Sequence, residues 1–368
     1  MSQLKVNSIV DAAGGSSAIL YGVASPPNSM GFRNRIINGE MRIDQRNGGA
    51  SVTPSTGQYT LDRWRGNSTQ ASKYTIQRNA GAVTPPVGFT NYLGVTSLSA
   101  YAVSGNDSFA FEQIIEGYNI SDLNWGTANA IPATLSFWVR SSLTGTFGAS
   151  LATANGTIWV VPFSYTIALA NTWTYITVAI PAGTSAVPFT DNQSGIFVRF
   201  GLGSSGTSAG GTPGVWTSAG NYIQPAGTVS VVGTNGATFY ITGVQLEAGS
   251  VASPFERRDI GRELMMCQRY YWQLTNITPT VGTYRTTTVL EGTQVSWPVS
   301  MRTSPTCALP SLAGLIFVNG GATAITGAPS VGPAGTNAVF ISLSSAAQPQ
   351  NAAAWANITS TLTISAEL

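Results

Sequence analysis

Apolar and polar residues alternate along most of this chain, and the alternation predicts strands. In Thr134-Leu-Ser-Phe-Trp-Val-Arg140, the residues Leu135, Phe137 and Val139 fall on one side and Ser136, Trp138 and Arg140 on the other. A pleated strand with one face in a core has that period of two. The same reading predicts strands over residues 109–115, 158–165, 172–178, 195–200 and 238–246. Turn residues separate them at Ser104-Gly-Asn106, Asn155-Gly156, Asn192-Gln-Ser-Gly195 and Asn235-Gly236. Short strands with no helical period between them predict an antiparallel two-sheet sandwich across residues 32–256.

The period changes once. Ile260, Leu264, Cys267 and Tyr271 recur at helical spacing, and Asp259 stands where an N-cap belongs. Glu263 in the first turn and Arg269 in the last match the helix dipole. A connector helix over 257–274 is the expectation, or an interface helix in an oligomer. Strand patterns resume over 275–368, with Thr286–Glu291 and Gln294–Val299, where Pro298 favours an edge, and the alternation of Ser360–Leu368. At the other end, Leu4–Val10 alternates, Asp11–Gly15 turns the chain, and Ser17–Gly22 returns as a second strand before a Pro-rich linker. A lone hairpin is marginal in water, so residues 1–31 read as a segment that needs a docking partner. The predicted class is all-β: attachment segment, sandwich, connector helix and C-terminal β domain.

Composition narrows what such a chain does. Only 9% of the residues are charged, and 17 basic against 15 acidic side chains leave a net charge of +2. Nucleic acid needs a basic stripe. The nearest cluster, Arg33, Arg35, Arg42 and Arg46, is interrupted by Glu40 and Asp44. No apolar run is long enough to insert in a membrane. The absence of histidine removes His-based triads and the commonest zinc ligand. Cys267 and Cys307 sit in separate regions and read as thiols, compatible with assembly in a reducing cytoplasm. The first residues lack the apolar core of a signal peptide. So little charge suits a chain that hides surface in an assembly or lives in a rigid extracellular particle.

Candidate chemistry rests on aromatics. Trp138 beside Arg140 on a polar face offers a platform for sugar C–H groups and a guanidinium fork for hydroxyls or carboxylates. Trp125 lies in Leu123-Asn-Trp-Gly126, and Trp216 and Tyr222 follow the Gly/Ser-rich loop 201–214, a candidate recognition loop. Trp355 has small neighbours in Ala352–Asn357. Each of these rings could equally pack under a loop or against another subunit. Glycan hydrolysis needs two carboxyl groups flanking a cleft. Asp62, Asp107, Glu112, Glu116, Asp122 and Asp191 are the available set, and Glu112 and Glu116 share a strand face as a structural pair. No catalytic residue is assigned, and the expectation is a protein that is not an enzyme.

Several segments carry a resemblance. They are Gly243-Val-Gln-Leu-Glu247, Ala248-Gly-Ser250, Pro254-Phe-Glu-Arg-Arg258 and Cys267-Gln-Arg-Tyr-Tyr271, with Asn34–Glu40, Tyr59-Thr-Leu-Asp-Arg-Trp64 and Val299–Thr306. Together they resemble bacteriophage tail fibre or receptor-binding proteins that carry a carbohydrate-binding-like jelly roll. The opening Leu4-Lys-Val-Asn is similar to the particle-proximal end of such fibres. The resemblance implies a virion protein of the phage tail, a homotrimer joined to other tail proteins through its N-terminus and attached to a host-surface glycan. Alternatives are a tail-associated glycan depolymerase and a structural virion component without a receptor. Jelly rolls of this type often hold a structural calcium near their first and last strands, where Glu40 and Glu247 stand here. No cofactor or metal is assigned. Phe255 is expected to be buried at the junction, with Arg257 and Arg258 tying loop carbonyls or carboxylates.

Overall fold

Three sheets account for nearly all regular structure in the computed structural model, which describes residues 19–20, 23–24, 32–185, 190–308, 314–318, 321–326, 330–331 and 335–368. Near the start, β1 (Ile19–Leu20) pairs antiparallel with β2 (Val23–Ala24). The strand expected over Leu4–Val10 lies outside the described residues. The sandwich then uses β3 (Tyr59–Leu61), β4 (Trp64–Ser68), β5 (Tyr74–Arg78), β6 (Leu93–Ser97), β7 (Ser108–Glu116) and β8 (Ala133–Ser141). It continues with β9 (Gly145–Thr153), β10 (Val160–Ile167), β11 (Thr174–Ile180), β12 (Ser194–Ser204) and β13 (Thr238–Ala248).

A six-stranded sheet ordered β10-β9-β12-β7-β4-β3 faces a five-stranded one ordered β11-β8-β13-β6-β5. All pairings are antiparallel. The expected face of β8 is in the core: Leu135, Phe137 and Val139 are fully buried. Against them come rings from the other sheet. Phe200 stacks on Phe111 at 5.2 Å and meets Phe137 edge-on at 5.1 Å. Aromatic pairs in these geometries add to the gain from burying their area.

Asn34–Glu40, which resembles the first strand of the tail-protein jelly rolls, forms no strand here. Its polar groups are satisfied by a bulge in β13 instead. The register shifts between Thr242 and Gln245, and Gly243 takes a φ of +62° that a side chain would resist. Val244 N–H donates to the Gly39 carbonyl, while Asn34 donates to the Val244 carbonyl and accepts from Leu246 N–H.

The connector is α1 (Ile260–Gln268), capped by Asp259, whose carboxylate accepts from Gly261 and Arg262 N–H. It is shorter than the expected 257–274. Tyr270 is fully buried and donates to Glu116 at 2.5 Å, and Tyr271 already opens the next strand. Arg269 caps the helix and pairs with Glu116 at 2.7 Å.

The C-terminal sheet comprises β14 (Tyr271–Tyr284), β15 (Val289–Ser296), β16 (Thr306–Ala308), β17 (Gly314–Val318), β18 (Gly321–Ala324), β19 (Ser330–Val331), β20 (Ala338–Ser344) and β21 (Ala353–Ser365). Its order is β18-β17-β21-β14-β15-β20-β19, with β16 also on β21. Ile325 bridges Ser345, so the sheet curls until the ends of β18 and β20 meet. Inside lie Leu290, Ile316, Val339, Ile341, Leu343 and Ala356. Val289–Ser296 is one strand where the sequence suggested two, and Pro298 falls just beyond it.

Candidate functional site

The outer face of β8 carries two of the residues singled out from sequence, Trp138 and Arg140. Trp138 stands directly opposite Tyr175 of β11 on one side and Thr242 of β13 on the other. The two rings are 5.3 Å apart and tilted by 46°. Tyr175 is 43% exposed because β11 is an edge strand whose outward positions carry Tyr175, Thr177 and Ala179. Trp138 is half-buried.

The strip continues past the β13 bulge. A side chain at Gly243 would meet Phe89 at 2.6 Å and Trp138 at 3.3 Å, so glycine there lets both rings flank the backbone. Phe89 meets Phe255 edge-on at 5.4 Å, and the Arg257 guanidinium lies 4.8 Å from the Phe89 ring. Arg257 also pairs with Glu40 at 3.2 Å. Burial pushes the Glu40 carboxyl up from its ordinary value, against the lowering pull of Arg257 and Arg42.

A second row supports the first. Arg140 stands opposite Tyr240, its guanidinium 5.4 Å from the ring, and its Nε donates to the Asn171 carbonyl at 2.8 Å. Among the described residues its Nη groups make no hydrogen bond or ion pair. Tyr240 packs edge-on against Tyr92 at 5.4 Å, and Tyr92 against Trp173 at 5.8 Å. Gly94 makes room, since a side chain there would strike the Tyr240 ring at 2.9 Å. Burial raises the Tyr92 hydroxyl pKa, consistent with its donation to the Ala80 carbonyl at 2.6 Å.

The other aromatics singled out from sequence are not part of this face. Trp125 is 2% exposed, and its indole N–H is held by the Ile131 carbonyl. It cannot offer a ring face to a ligand. Trp216 packs edge-on against it at 5.2 Å and donates to the Pro181 carbonyl. Both rings close over Gly183, where an added side chain would meet them at 3.3 to 3.4 Å. Tyr222 is half-buried under Gly210, Gly211 and Gly220, and it pins the Gly/Ser loop instead of projecting from it. Gly210 N–H bonds to the Gln224 carbonyl and Ile223 N–H to the Ser208 carbonyl. Trp355 lies in the C-terminal sheet. Sequence reasoning named Trp138 and Arg140 but missed Tyr175 and Phe89. Alternation within 172–178 was the signal for Tyr175; nothing local marks Phe89, whose place depends on a bulge far along the chain.

The candidate carboxylates are engaged in structural contacts. Glu112 is gripped by Arg65 at 2.8 Å and Arg199 at 3.1 Å, and Glu116 by Arg269 and Tyr270. Asp62 accepts from Gln45, Asp107 from Tyr101 and Ser104, and Asp122 pairs with Arg35. Asp191 accepts from Gln193 N–H. Glu247 accepts from Gln245 and Ser253 and faces Arg33 at 3.6 Å, so the acidic positions suited to calcium are already matched by cations and amides. Among the described residues no group of three ligating side chains stands together.

No protein-family model matches the chain, and no curated protein does. Solved structures do resemble it. The tailspike protein 4 enzymatically active domain of bacteriophage CBA120 is 13% identical over 59% of this chain, with a TM-score of 0.33, and the match spans 21% of that chain. A putative sugar-binding protein of Bacteroides thetaiotaomicron is 13% identical over 59% of this chain and 100% of its own, with a TM-score of 0.35. The family 11 carbohydrate-binding module of Clostridium thermocellum, in complex with a mixed-linked tetrasaccharide, is 12% identical over 56% and 100%, with a TM-score of 0.27. At these scores the function has to be argued from the chain's own residues.

Proposed function

We propose that this chain is a non-catalytic receptor-binding protein of a phage tail that holds a host-surface glycan against the outer face of its five-stranded sheet. One observation carries the reading: the cross-strand pair of half-buried Trp138 with Tyr175, which is exposed on the edge strand, continued by Phe89. Aromatic rings accept the C–H faces of pyranose rings, and their stiffness keeps the entropy cost of binding low. Arg140 lies beside the pair with its Nη donors uncommitted among the described residues, and it would hydrogen-bond hydroxyls or a carboxylate. The phage part of the reading rests on the resemblance of residues 243–258 and 267–271 to tail proteins. In it the chain is a homotrimer joined to other tail proteins through residues 1–31.

The experiment is a binding screen of the purified chain on immobilised bacterial surface polysaccharides, with product release from each bound polysaccharide measured in parallel. Saturable binding to at least one polysaccharide without release of oligosaccharide supports the reading. Release of oligosaccharide would replace it with a depolymerase, and no binding to any would leave a structural component.

A further inference from the structure

Asparagine is followed by glycine at positions 38, 47, 155, 235 and 319 of this chain. Such a pair is chemically weak. The glycine nitrogen has no side chain beside it, so it can attack the asparagine carboxamide carbon and close a five-membered ring. The fold decides which pair reacts, because attack needs a free nitrogen and an unrestrained carboxamide held close to it. Asn319 and Gly320 lie outside the described residues.

Three of the other pairs are tied down. Asn38 is 1% exposed, its amide nitrogen donates to the Ile43 and Asp62 carbonyls, and its oxygen accepts from Ile43 N–H. Asn47 is half-buried, with its amide nitrogen on the Thr60 carbonyl, and Gly48 N–H donates to the Asp44 carbonyl at 3.3 Å. Asn235 is exposed, but the attacking nitrogen is committed: Gly236 N–H donates to the Ser97 carbonyl at 3.0 Å.

Asn155 differs in each respect. It stands in the turn between β9 and β10, where residues 155–158 are all exposed. Gly156 N–H points at Asn155 Oδ1, 3.0 Å away, so nucleophile and carboxamide are already side by side. Among the described residues neither group makes any other hydrogen bond. The ends of the turn are fixed, because Thr153 N–H donates to the Trp159 carbonyl at 2.8 Å and Thr153 Oγ1 to the Thr157 carbonyl at 3.2 Å.

We propose that Asn155 is a site of spontaneous modification, converting to aspartate and isoaspartate through a succinimide. The Gly156 nitrogen loses its proton to solvent and bonds to Cγ of Asn155. The bond from Cγ to the side-chain nitrogen breaks, and that nitrogen takes up a proton and leaves as ammonia. Water then adds to either ring carbonyl and opens the ring, leaving a carboxylate in place of the amide. The formal net charge falls from +2 to +1. The site lies on the six-stranded sheet, apart from the Trp138–Tyr175 strip on the other.

The test is peptide mass mapping of the full folded chain during incubation at mildly alkaline pH, with the same chain in denaturant alongside. Conversion reads as a gain of about 1 Da at the asparagine. In the folded chain Asn155 should convert at least about tenfold faster than Asn38, Asn47 and Asn235, and no more than about tenfold slower than it does in denaturant. Asn155→Gln should abolish the fast conversion and keep the wild-type melting temperature, since the side chain is exposed. A smaller margin over any of the three tied pairs, a greater slowing of Asn155 by folding, or fast conversion that persists in Asn155→Gln would overturn the proposal.

Discussion

Arg63 and Glu367 stand 304 positions apart in sequence and form an ion pair in a buried site. Glu367 also accepts from Arg46 at 2.7 Å, and the Arg63 guanidinium lies 3.6 Å from the Tyr270 ring. The segment after β21 therefore returns to the sandwich and ties it to the C-terminal sheet. Leu368 packs there with Ile37, Ile43 and Cys267, and its carbonyl accepts from Tyr59. Removing one partner of a buried pair leaves the other charge uncompensated. Glu367→Ala should lower stability by ~3 kcal/mol, read as a reduced denaturant midpoint. A midpoint unchanged within error would show that the tie is not made.

Asp62 gives the joint a pH dependence of opposite sign to the usual carboxylate. Burial raises its pKa from 3.8 to about 6, partly offset by the amide donors of Gln45 and by Arg46. The folded chain thus keeps a proton that the unfolded chain has already lost. The corresponding stability is fully present below the unfolded value and is lost as pH rises through the folded one. Between about pH 4 and 6, wild type should lose this contribution with rising pH, and Asp62→Asn should not. Urea midpoints of both proteins at the two pH values check this. An identical pH dependence in both would contradict it.

Phe255 is half-exposed, not buried at the junction as its place in the sequence suggested. It packs edge-on against Phe89, so Phe255→Ala should cost about 1 kcal/mol, the worth of an aromatic pair. A fully buried ring would cost ~3 kcal/mol or more. A thermal melt separates the two values. Arg258 does what the sequence suggested, donating to the Asn34 and Ile36 carbonyls and pairing with Glu263 at 3.3 Å.

What the sequence made legible is what depends on period alone. The faces of β8, the cap at Asp259 and the final strand are all local patterns. Tertiary context decided the rest. Trp125 reads as a loop aromatic, and its burial depends on Gly183 and Trp216. Asn34–Glu40 has strand-like residues, yet Gln113 supplies both hydrogen bonds to Ile37 from a side chain, where a neighbouring strand would have supplied them from backbone. The proposed strip was half visible: Trp138 and Arg140 stand out by alternation, whereas Phe89 joins them only because Gly243 bulges.

Salt is a separate check on the chemistry of binding. With a net charge of +2 and aromatic contact as the main attraction, long-range steering is weak. Raising salt to ~0.5 M should change affinity for a bound polysaccharide by less than about threefold. A loss of binding at that salt would mean that charge, not the rings, carries recognition.

The most direct test is the affinity of Tyr175→Ala and Trp138→Ala for a polysaccharide that the wild type binds, measured by titration calorimetry alongside melting temperature. Tyr175 is the more exposed ring, so its variant should keep the wild-type melting curve. Each truncation should weaken binding at least tenfold, ~1.4 kcal/mol or more. Wild-type affinity in both folded variants would contradict the account and place the glycan elsewhere on the chain.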